Sequence, residues 1–347
     1  MCTDSARVLL PKIRIRAVSC GQQHGISLDD KGGAWAWGSS AKGQCGLGSK
    51  DNIIVPRRIT SIAGGVNIDH LQVKMVSAGW FHSLMLSEDG QAFAFGENNI
   101  GQLGLPESEE SKILTIERRI ALESNAALFD AADKELSNRR IDEIIQAHSV
   151  ANVVYTPHLV ELSRSDSPFK VTAVAAGGRH SIFVDESGAA WSSGLGTDGQ
   201  LGVEKSSLSQ FVTLDGYYSN MPQRITNLDA VTVIGAAASL HHTLLLTRQG
   251  RVFTCGSNDS GQLGLGSIIG MPGTEGNALW RPVFVKALRQ FKVTAIAAGI
   301  KHSTYLTSDD QLFATGSKGP TGLAQDSDVP KQLSEFVKDG HAGEGGG

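Results

Sequence analysis

Cysteine is scarce in this sequence. The four cysteines, Cys2, Cys20, Cys45 and Cys255, are spread over 347 residues, and no two of them share a C-x-x-C spacing. Zinc knuckles and disulfide frameworks need clustered cysteines, so both are disfavoured and a reducing compartment is expected. Cys20, Cys45 and Cys255 fall at small or apolar positions of the repeat described below, which predicts thiols that behave as small hydrophobic groups.

Long apolar runs and an excess of charge of one sign are also missing. No stretch approaches the roughly 18 apolar residues of a membrane-spanning helix, and the first residues lack the apolar core of a secretory signal. A net charge of -4 and a pI near 6.2 give no general attraction to nucleic acid or to anionic membranes. We expect a cytoplasmic or nuclear protein without direct nucleic-acid or membrane binding; organelle targeting by the basic N-terminal residues is an alternative.

Glycine, in contrast, is abundant. The chain holds 41 glycines, well above the usual share of roughly 7%, which predicts frequent turns. Residues 194–199 spell G-x-G-x-x-G after a strand-like run, the fingerprint of a dinucleotide-binding turn. Such a turn must open a helix, and the residues that follow, Gln200-Leu201-Gly202, start no convincing helix.

One pattern occurs five times along the chain. Each copy has a strand of small residues, a histidine that begins an apolar strand, a tight turn, a third strand that alternates large and small residues, and a proline-led segment. The aligned histidines are His24, His82, His180, His242 and His302, at steps of 58, 98, 62 and 60 residues. The proline-led segments read "VPRRITSI", "YTPHLVELS", "MPQRITNL", "RPVFVKAL" and "VPKQLSEF".

Each copy therefore predicts four short strands. A first strand such as "AVAAG" suits the crowded axis where several sheets converge, and proline suits an outer strand where a lost N–H does least harm. One such sheet cannot bury both of its faces, whereas radial stacking of several sheets buries them. The sequence predicts an all-β protein, a β-propeller with five recognisable blades, and leaves open whether the blades close a ring.

The order G-x-x-H-S, D-x-G, W-G and G-Q-L-G resembles the repeat of the regulator of chromosome condensation family. The resemblance covers residues 14–337 apart from one insert, and it implies a propeller in a family whose members usually close seven blades. Residues 1–13 form an N-terminal segment, and residues 338–347 form a flexible tail. The insert, residues 106–150, predicts two or three short helices that either cap the propeller or offer an amphipathic helix to a partner.

The repeat also decides how the single motifs are interpreted. The copies aligned with residues 194–199 are 38–43, 96–101 and 256–261, which lack the middle glycine, so a turn is favoured and no cofactor is expected. Residues repeated once per blade are spread around a ring, so the histidines are interpreted as ties between adjacent strands and not as metal ligands or catalytic groups. Acidic pairs such as Asp29-Asp30 are interpreted as solvated hairpin tips.

The two positions before each aligned histidine are the candidate binding residues, because their identity varies while the repeat fixes their place. We expect all of them on one face, as an interaction surface of aromatic, apolar and basic side chains. The alternative is that Trp80 and Leu240 fold back over the core. The pairs are Gln22 and Gln23, Trp80 and Phe81, Gly178 and Arg179, Leu240 and His241, and Ile300 and Lys301.

These observations predict a non-enzymatic protein–protein interaction module or scaffold. The resemblance implies a more specific alternative, a guanine-nucleotide exchange factor for a Ran-type small GTPase, which would need contacts with the GTPase but no bond-making residues. A nucleotide-binding oxidoreductase that uses residues 194–199 is the remote alternative.

Overall fold

Five antiparallel sheets make up the protein. The computed structural model describes residues 13–106, 139–140, 142–143, 152–162, 169–210, 216–228 and 230–333. Within these residues each sheet has four or five strands and corresponds to one copy of the repeat. The predicted all-β propeller with five blades is therefore confirmed.

The blades take their strands in chain order. Blade 1 has β1 (Ile15–Cys20), β2 (His24–Asp29), β3 (Ala34–Gly38) and β4 (Ile53–Arg58), and a small hairpin, β5 (Ser61–Ile62) and β6 (Val66–Asn67), follows it. Blade 2 has β7 (Val73–Ala78), β8 (His82–Ser87), β9 (Ala92–Glu97) and β10 (Val153–Leu159). Blade 3 has β11 (Val171–Ala176), β12 (His180–Asp185), β13 (Ala190–Leu195), β14 (Ser209–Gln210) and β15 (Tyr217–Arg224). Blade 4 has β16 (Val233–Ala238), β17 (His242–Thr247), β18 (Val252–Ser257), β19 (Thr274–Glu275) and β20 (Ala278–Phe284). Blade 5 has β21 (Val293–Ala298), β22 (His302–Thr307), β23 (Leu312–Gly316) and β24 (Ser327–Gln332).

Helical structure within the described residues is brief. Three single 3-10 turns are present, a four-residue α-helix, α1 (Lys318–Thr321), follows β23, and the described residues 139–140 and 142–143 of the insert are helical. The 3-10 turns are Ala63–Gly65, Lys205–Ser207 and Lys286–Leu288. No helix in the described ranges is long and apolar enough to cross a membrane.

The small-residue strands lie at the centre. They contact one another in the order β1, β7, β11, β16 and β21, and their last residues border one central hollow. Small side chains permit this approach, because larger ones would collide where five sheets converge. The predicted place of these strands is confirmed.

The hydrophobic core lies in the gaps between blades. In the first gap, Ile26 and Leu28 of blade 1 pack in one cluster with Met85 and Phe95 of blade 2. Alternate residues of a strand face opposite sides of its sheet, so each central blade contributes to two such clusters. The second strands β2, β8, β12 and β17 are all buried along their whole length.

The outer strands carry their prolines at an irregularity. The pairing of β3 with β4 shifts register between Ala36 and Gly38, opposite the stretch that contains Pro56. The outer strands of the other four blades shift register in the same place. A missing N–H costs little where the ladder is already interrupted, as the sequence predicted.

Blades 1 and 5 each leave part of one face exposed. Val18 of β1 is 61% exposed and Leu306 of β22 is 37% exposed, although the matching residues of the central blades are largely covered. Among the described residues, β1 pairs only with β2 and β24 only with β23, so the first and fifth sheets share no strand. The expectation for Cys20 was wrong: its thiol is exposed because β1 lies on this open side, whereas Cys45 and Cys255 are buried.

The insert enters where the sequence placed it, between β9 and β10. Its predicted helices lie almost wholly outside the described residues, as do the N-terminal segment and the tail, so the choice between a cap and a binding helix stays a prediction. The G-x-G-x-x-G motif forms a turn: Gly194 belongs to β13 with a φ of 101°, and residues 197–201 make turns and a bend without opening a helix. The turn interpretation is confirmed.

Candidate protein-binding face

Each candidate pair forms the tip of a tight hairpin between the first two strands of its blade. The amide of Gly21 donates to the carbonyl of His24 at 2.9 Å, so Gln22 and Gln23 are the two central residues of the turn. The same bond recurs in the other four blades at 2.8–2.9 Å. All ten positions therefore lie at the same end of the propeller, as the repeat predicted.

Backbone hydrogen bonds fix these tips. The amide of Gln22 donates to the carbonyl of Trp80 at 3.3 Å, and the amide of Trp80 donates in turn to the carbonyl of Gly178 at 3.3 Å. The carbonyl of Arg179 accepts the amide of Leu195 at 2.9 Å within its own blade. In blades 1 to 3 the first position is thus tied to the next blade, and in all five blades the carbonyl of the second position is tied to its own blade; none of these bonds uses the side chain of a tip residue.

The aligned histidines lie directly beneath the tips and join neighbouring blades. His24 Nε2 lies 2.8 Å from Ser83 Oγ, and that hydroxyl donates to the carbonyl of Gln44 at 2.9 Å. Because the Ser83 hydroxyl donates its proton to the Gln44 carbonyl, it must accept from His24, and His24 Nε2 is the donor of the bond between them. The same relay links His82 to Ser181, His180 to Thr243 and His242 to Ser303, at 2.8–2.9 Å. The sequence predicted a tie between adjacent strands; the tie runs between adjacent blades.

Burial keeps these histidines neutral. It lowers the pKa of His24 to about 4 and that of His82, His180 and His242 to about 3. A neutral imidazole in a fixed tautomer suits a structural donor and does not suit a base near neutral pH. In the described part of the chain, no group of three or more His, Cys, Asp or Glu side chains could hold a metal ion.

The first residues of the five tips border the central hollow, whose volume is about 250 Å³. We call these residues the rim: Gln22, Trp80, Gly178, Leu240 and Ile300. Trp80 and Leu240 are half-buried and Ile300 is 55% exposed. Trp80 and Leu240 therefore lie beside the hollow and leave part of their apolar surface uncovered. They are neither fully exposed, as in a simple interaction surface, nor folded back over the core.

The second residues of the tips form a separate set that does not border the hollow. We call them the outer ring: Gln23, Phe81, Arg179, His241 and Lys301. Phe81 packs edge-on against Trp80 with ring centroids 6.4 Å apart, and His241 Nδ1 lies 2.7 Å from Asp198 Oδ2. Arg179 and Lys301 make no ion pair with any described residue. Two basic groups thus remain free beside an apolar rim.

A groove beside His241 escaped the sequence analysis. It lies between blades 3 and 4 and is bordered by Asp198, Lys205, Tyr217, Asp259, Glu275 and Trp280. The extra strands β14 and β19 help to build it, and both lie in the long connections between the third and outer strands of their blades. The unusual length of these two connections was the feature of the sequence that could have indicated the groove.

Comparison with known proteins defines the class. The regulator of chromosome condensation (RCC1) repeat matches residues 31–86, 187–246 and 249–306, and a second description of the repeat matches residues 15–44, 73–102, 171–200 and 233–262. These matches follow the blades of the structure. The chain belongs to the RCC1 repeat family.

A plant receptor and a mouse guanine nucleotide exchange factor are among the proteins that this chain resembles in sequence. The Ultraviolet-B receptor UVR8 of Arabidopsis thaliana is 25% identical over 336 residues, which cover 96% of this chain and 60% of the receptor. The secretion-regulating guanine nucleotide exchange factor of Mus musculus is 27% identical and is matched over 88% of this chain and 64% of its own length. The crystal structure of human WBSCR16 superposes with a TM-score of 0.66 at 21% identity, covering 94% of this chain and 68% of that one. The chain thus spans less than two thirds of the length of these two sequence relatives.

Proposed function

We propose that this chain is a non-catalytic protein-binding module that contacts its partner through the rim and the outer ring. The observation that carries the proposal is that backbone hydrogen bonds hold every tip in place, while the side chains at its two central positions differ from blade to blade. Tryptophan and arginine, the types of Trp80 and Arg179, are enriched among the residues that contribute most of the binding energy of protein interfaces. Trp80, Leu240 and Ile300 supply the anchors, and Arg179 and Lys301 supply the charges.

The test removes one anchor and one charge together. In the variant Trp80→Ala/Arg179→Ala, the partner captured by the wild-type chain and identified by cross-linking should bind at least roughly tenfold more weakly in a purified titration. The melting temperature should stay within a few degrees, because the backbone bonds of the tips are retained. Ile54→Ala/Arg57→Ala is the matched control, since both residues are exposed on the outer strand of blade 1. Equal affinity of the two double variants would remove this face from the proposal.

Guanine-nucleotide exchange on a Ran-type small GTPase is the second candidate. The similarity to the mouse exchange factor, over 88% of this chain, favours it. Exchange requires only that the module bind the nucleotide-free GTPase more tightly than the loaded one. The rim and the outer ring would then be the GTPase contact.

Release of labelled GDP tests this candidate directly. A Ran-type GTPase should lose its nucleotide faster when the chain is added, and the Trp80→Ala/Arg179→Ala variant should accelerate release less. An unchanged release rate at micromolar protein would discard exchange but leave the binding module standing.

A further inference from the structure

The groove between blades 3 and 4 already holds one cation of the chain itself. The ammonium group of Lys205 lies 4.7 Å from the centre of the Tyr217 ring and 5.5 Å from that of Trp280. The two rings meet edge to face, 5.9 Å apart at an angle of 89°. Aromatic faces attract a cation electrostatically, so this pair of rings forms a wall suited to positive charge.

A carboxylate completes the site of Lys205. Both oxygens of Glu275 accept from Lys205 Nζ, at 2.9 and 2.7 Å. This hydrogen bond raises the pKa of Lys205, so the group stays charged. Lys205 shows that the wall of the groove stabilises a basic side chain.

The open part of the groove keeps an excess of negative charge. Its volume is about 360 Å³, and two further carboxylates, Asp198 and Asp259, border it. Glu275 is neutralised by Lys205, whereas among the described residues the Asp198 carboxylate bonds only to the imidazole of His241 and the Asp259 carboxylate only to the hydroxyl of Ser257. A lysine- or arginine-rich peptide segment would bring cations for these two carboxylates.

We propose that this groove binds a lysine- and arginine-rich segment of a protein partner, with basic side chains beside Asp198 and Asp259. The inference rests on the proposed binding function, because His241 of the outer ring bonds to Asp198 and thereby joins the groove to that face. Lys205 occupies a place that a partner's basic side chain would otherwise take. The groove therefore selects partners by charge, while the rim adds apolar contact.

Fluorescence anisotropy with a labelled nine-residue arginine peptide tests the proposal on the full chain. The peptide should bind the wild type, and Asp198→Asn/Asp259→Asn should weaken binding by roughly tenfold. Asp30→Asn/Asp310→Asn is the control of equal charge, because both residues lie on exposed hairpin turns. A nine-residue lysine peptide should bind as well, whereas a glycine–serine peptide should not bind.

A second substitution keeps the test decisive if the first variant is unstable. Lys205→Gln frees Glu275 and the aromatic wall, so it should tighten peptide binding several-fold, whereas Lys292→Gln, which removes an exposed lysine elsewhere, should not. Equal effects within either pair of variants would overturn the proposal, since they would indicate only general charge attraction. Trp80→Ala/Arg179→Ala should retain the peptide, so failure of the groove and failure of the rim give different results.

Discussion

At the scale of single residues, the last position of each second strand closes the hairpin that follows. Its side chain accepts the amide of the residue four places on, as from Gly33 to Asp29 at 2.7 Å and from Gln91 to Ser87 at 2.9 Å. This residue is aspartate in the two blades whose third strand carries tryptophan, and serine or threonine in the three that carry phenylalanine there. The reason is hydrogen bonding: the Nε1 atoms of Trp35 and Trp191 each donate to their aspartate at 2.8 Å, and phenylalanine has no donor.

This pairing predicts a coupled pair of substitutions in blade 3. Asp185→Thr should cost about 1–3 kcal/mol of unfolding free energy, because it leaves the Trp191 indole without its acceptor. The double variant Asp185→Thr/Trp191→Phe recreates the combination of blades 4 and 5 and should cost less than the sum of the two single changes. Urea unfolding of all four proteins measures the coupling. Strict additivity would contradict the interpretation.

The buried histidines predict a loss of stability in mild acid. Each has a native pKa below its ordinary value near 6.5, so below that pH the unfolded chain binds more protons than the folded one and stability falls. For His82, His180 and His242, with native pKa values of about 3, the loss between pH 7 and pH 5 is about 2 kcal/mol each. Urea unfolding at the two pH values measures this loss. Equal stability at pH 7 and pH 5 would show that the imidazoles are not held neutral.

For the aligned histidines and the acidic turn residues, the sequence predicted a structural role more accurately than it predicted their hydrogen-bond partners. Recurrence alone shows that the histidines are structural, but a single copy does not show that His24 reaches a hydroxyl 59 positions away in the next blade. The acidic turn residues were predicted to be solvated, and this was wrong for Asp29 and Asp185, which are only 5% and 2% exposed. The accompanying tryptophans were the missed signal, since a buried indole N–H needs an acceptor.

At the scale of elements, the loop after each third strand grips the outer strand of the next blade. Gly101 lies in such a loop with a φ of 74°, and a Cβ added there would come within 2.3 Å of the Asn220 Cα on β15. In blade 5 the matching position is Thr321, at the end of α1. Glycine is thus replaced by threonine in blade 5, the blade after which the described residues contain no further outer strand for this loop to contact.

Two glycine substitutions should separate the energetic cost of colliding with β15 from the cost of the left-handed backbone conformation. Gly101→Ala should destabilise the protein by more than about 2 kcal/mol, because it combines a left-handed backbone with a collision against β15. Gly276→Ala is the control, since its φ is 60° but an added Cβ would meet nothing within 4 Å. It should cost about 1 kcal/mol, the backbone term alone. Thermal or urea unfolding that gives equal losses would contradict the grip.

The main strands and the position of the insert were predictable because period-two patterns and turn residues recur in every copy. The short strands β14 and β19 were not, because two residues carry no detectable alternation. The groove built beside them was missed for the same reason. Its aromatic residues, Tyr217 and Trp280, lie on outer strands of different blades and meet only in the folded chain.

At the scale of the whole molecule, the two terminal blades do not complement each other. The His302 ring makes no side-chain hydrogen bond within the described residues, which contain no further blade with a hydroxyl beside it. Blade 1 has Gly25 where blades 2 to 5 have serine or threonine, so it could not supply one either. The relay that joins the other blades therefore has no counterpart between blade 5 and blade 1.

The uncovered faces predict concentration-dependent association. Val18 and Leu306 expose apolar surface that the central blades cover, and such surface favours contact between copies. Sedimentation velocity should show the wild type associating as its concentration rises to roughly 100 μM. Val18→Asp/Leu306→Asp should shift the population toward the monomer. A wild type that stays monomeric throughout would argue against exposed apolar ends.

The tips of the hairpins have a consequence for how this surface can change over evolutionary time. Because the bonds that close each tip do not use the side chains of its two central residues, a new side chain there alters what the module recognises with little loss of folding energy. Four blades offer such a choice at the rim, whereas at Gly178 an added Cβ would come within 2.5 Å of the Leu240 side chain. A small number of substitutions at the tips could therefore redirect the module to another partner while its fold stays the same.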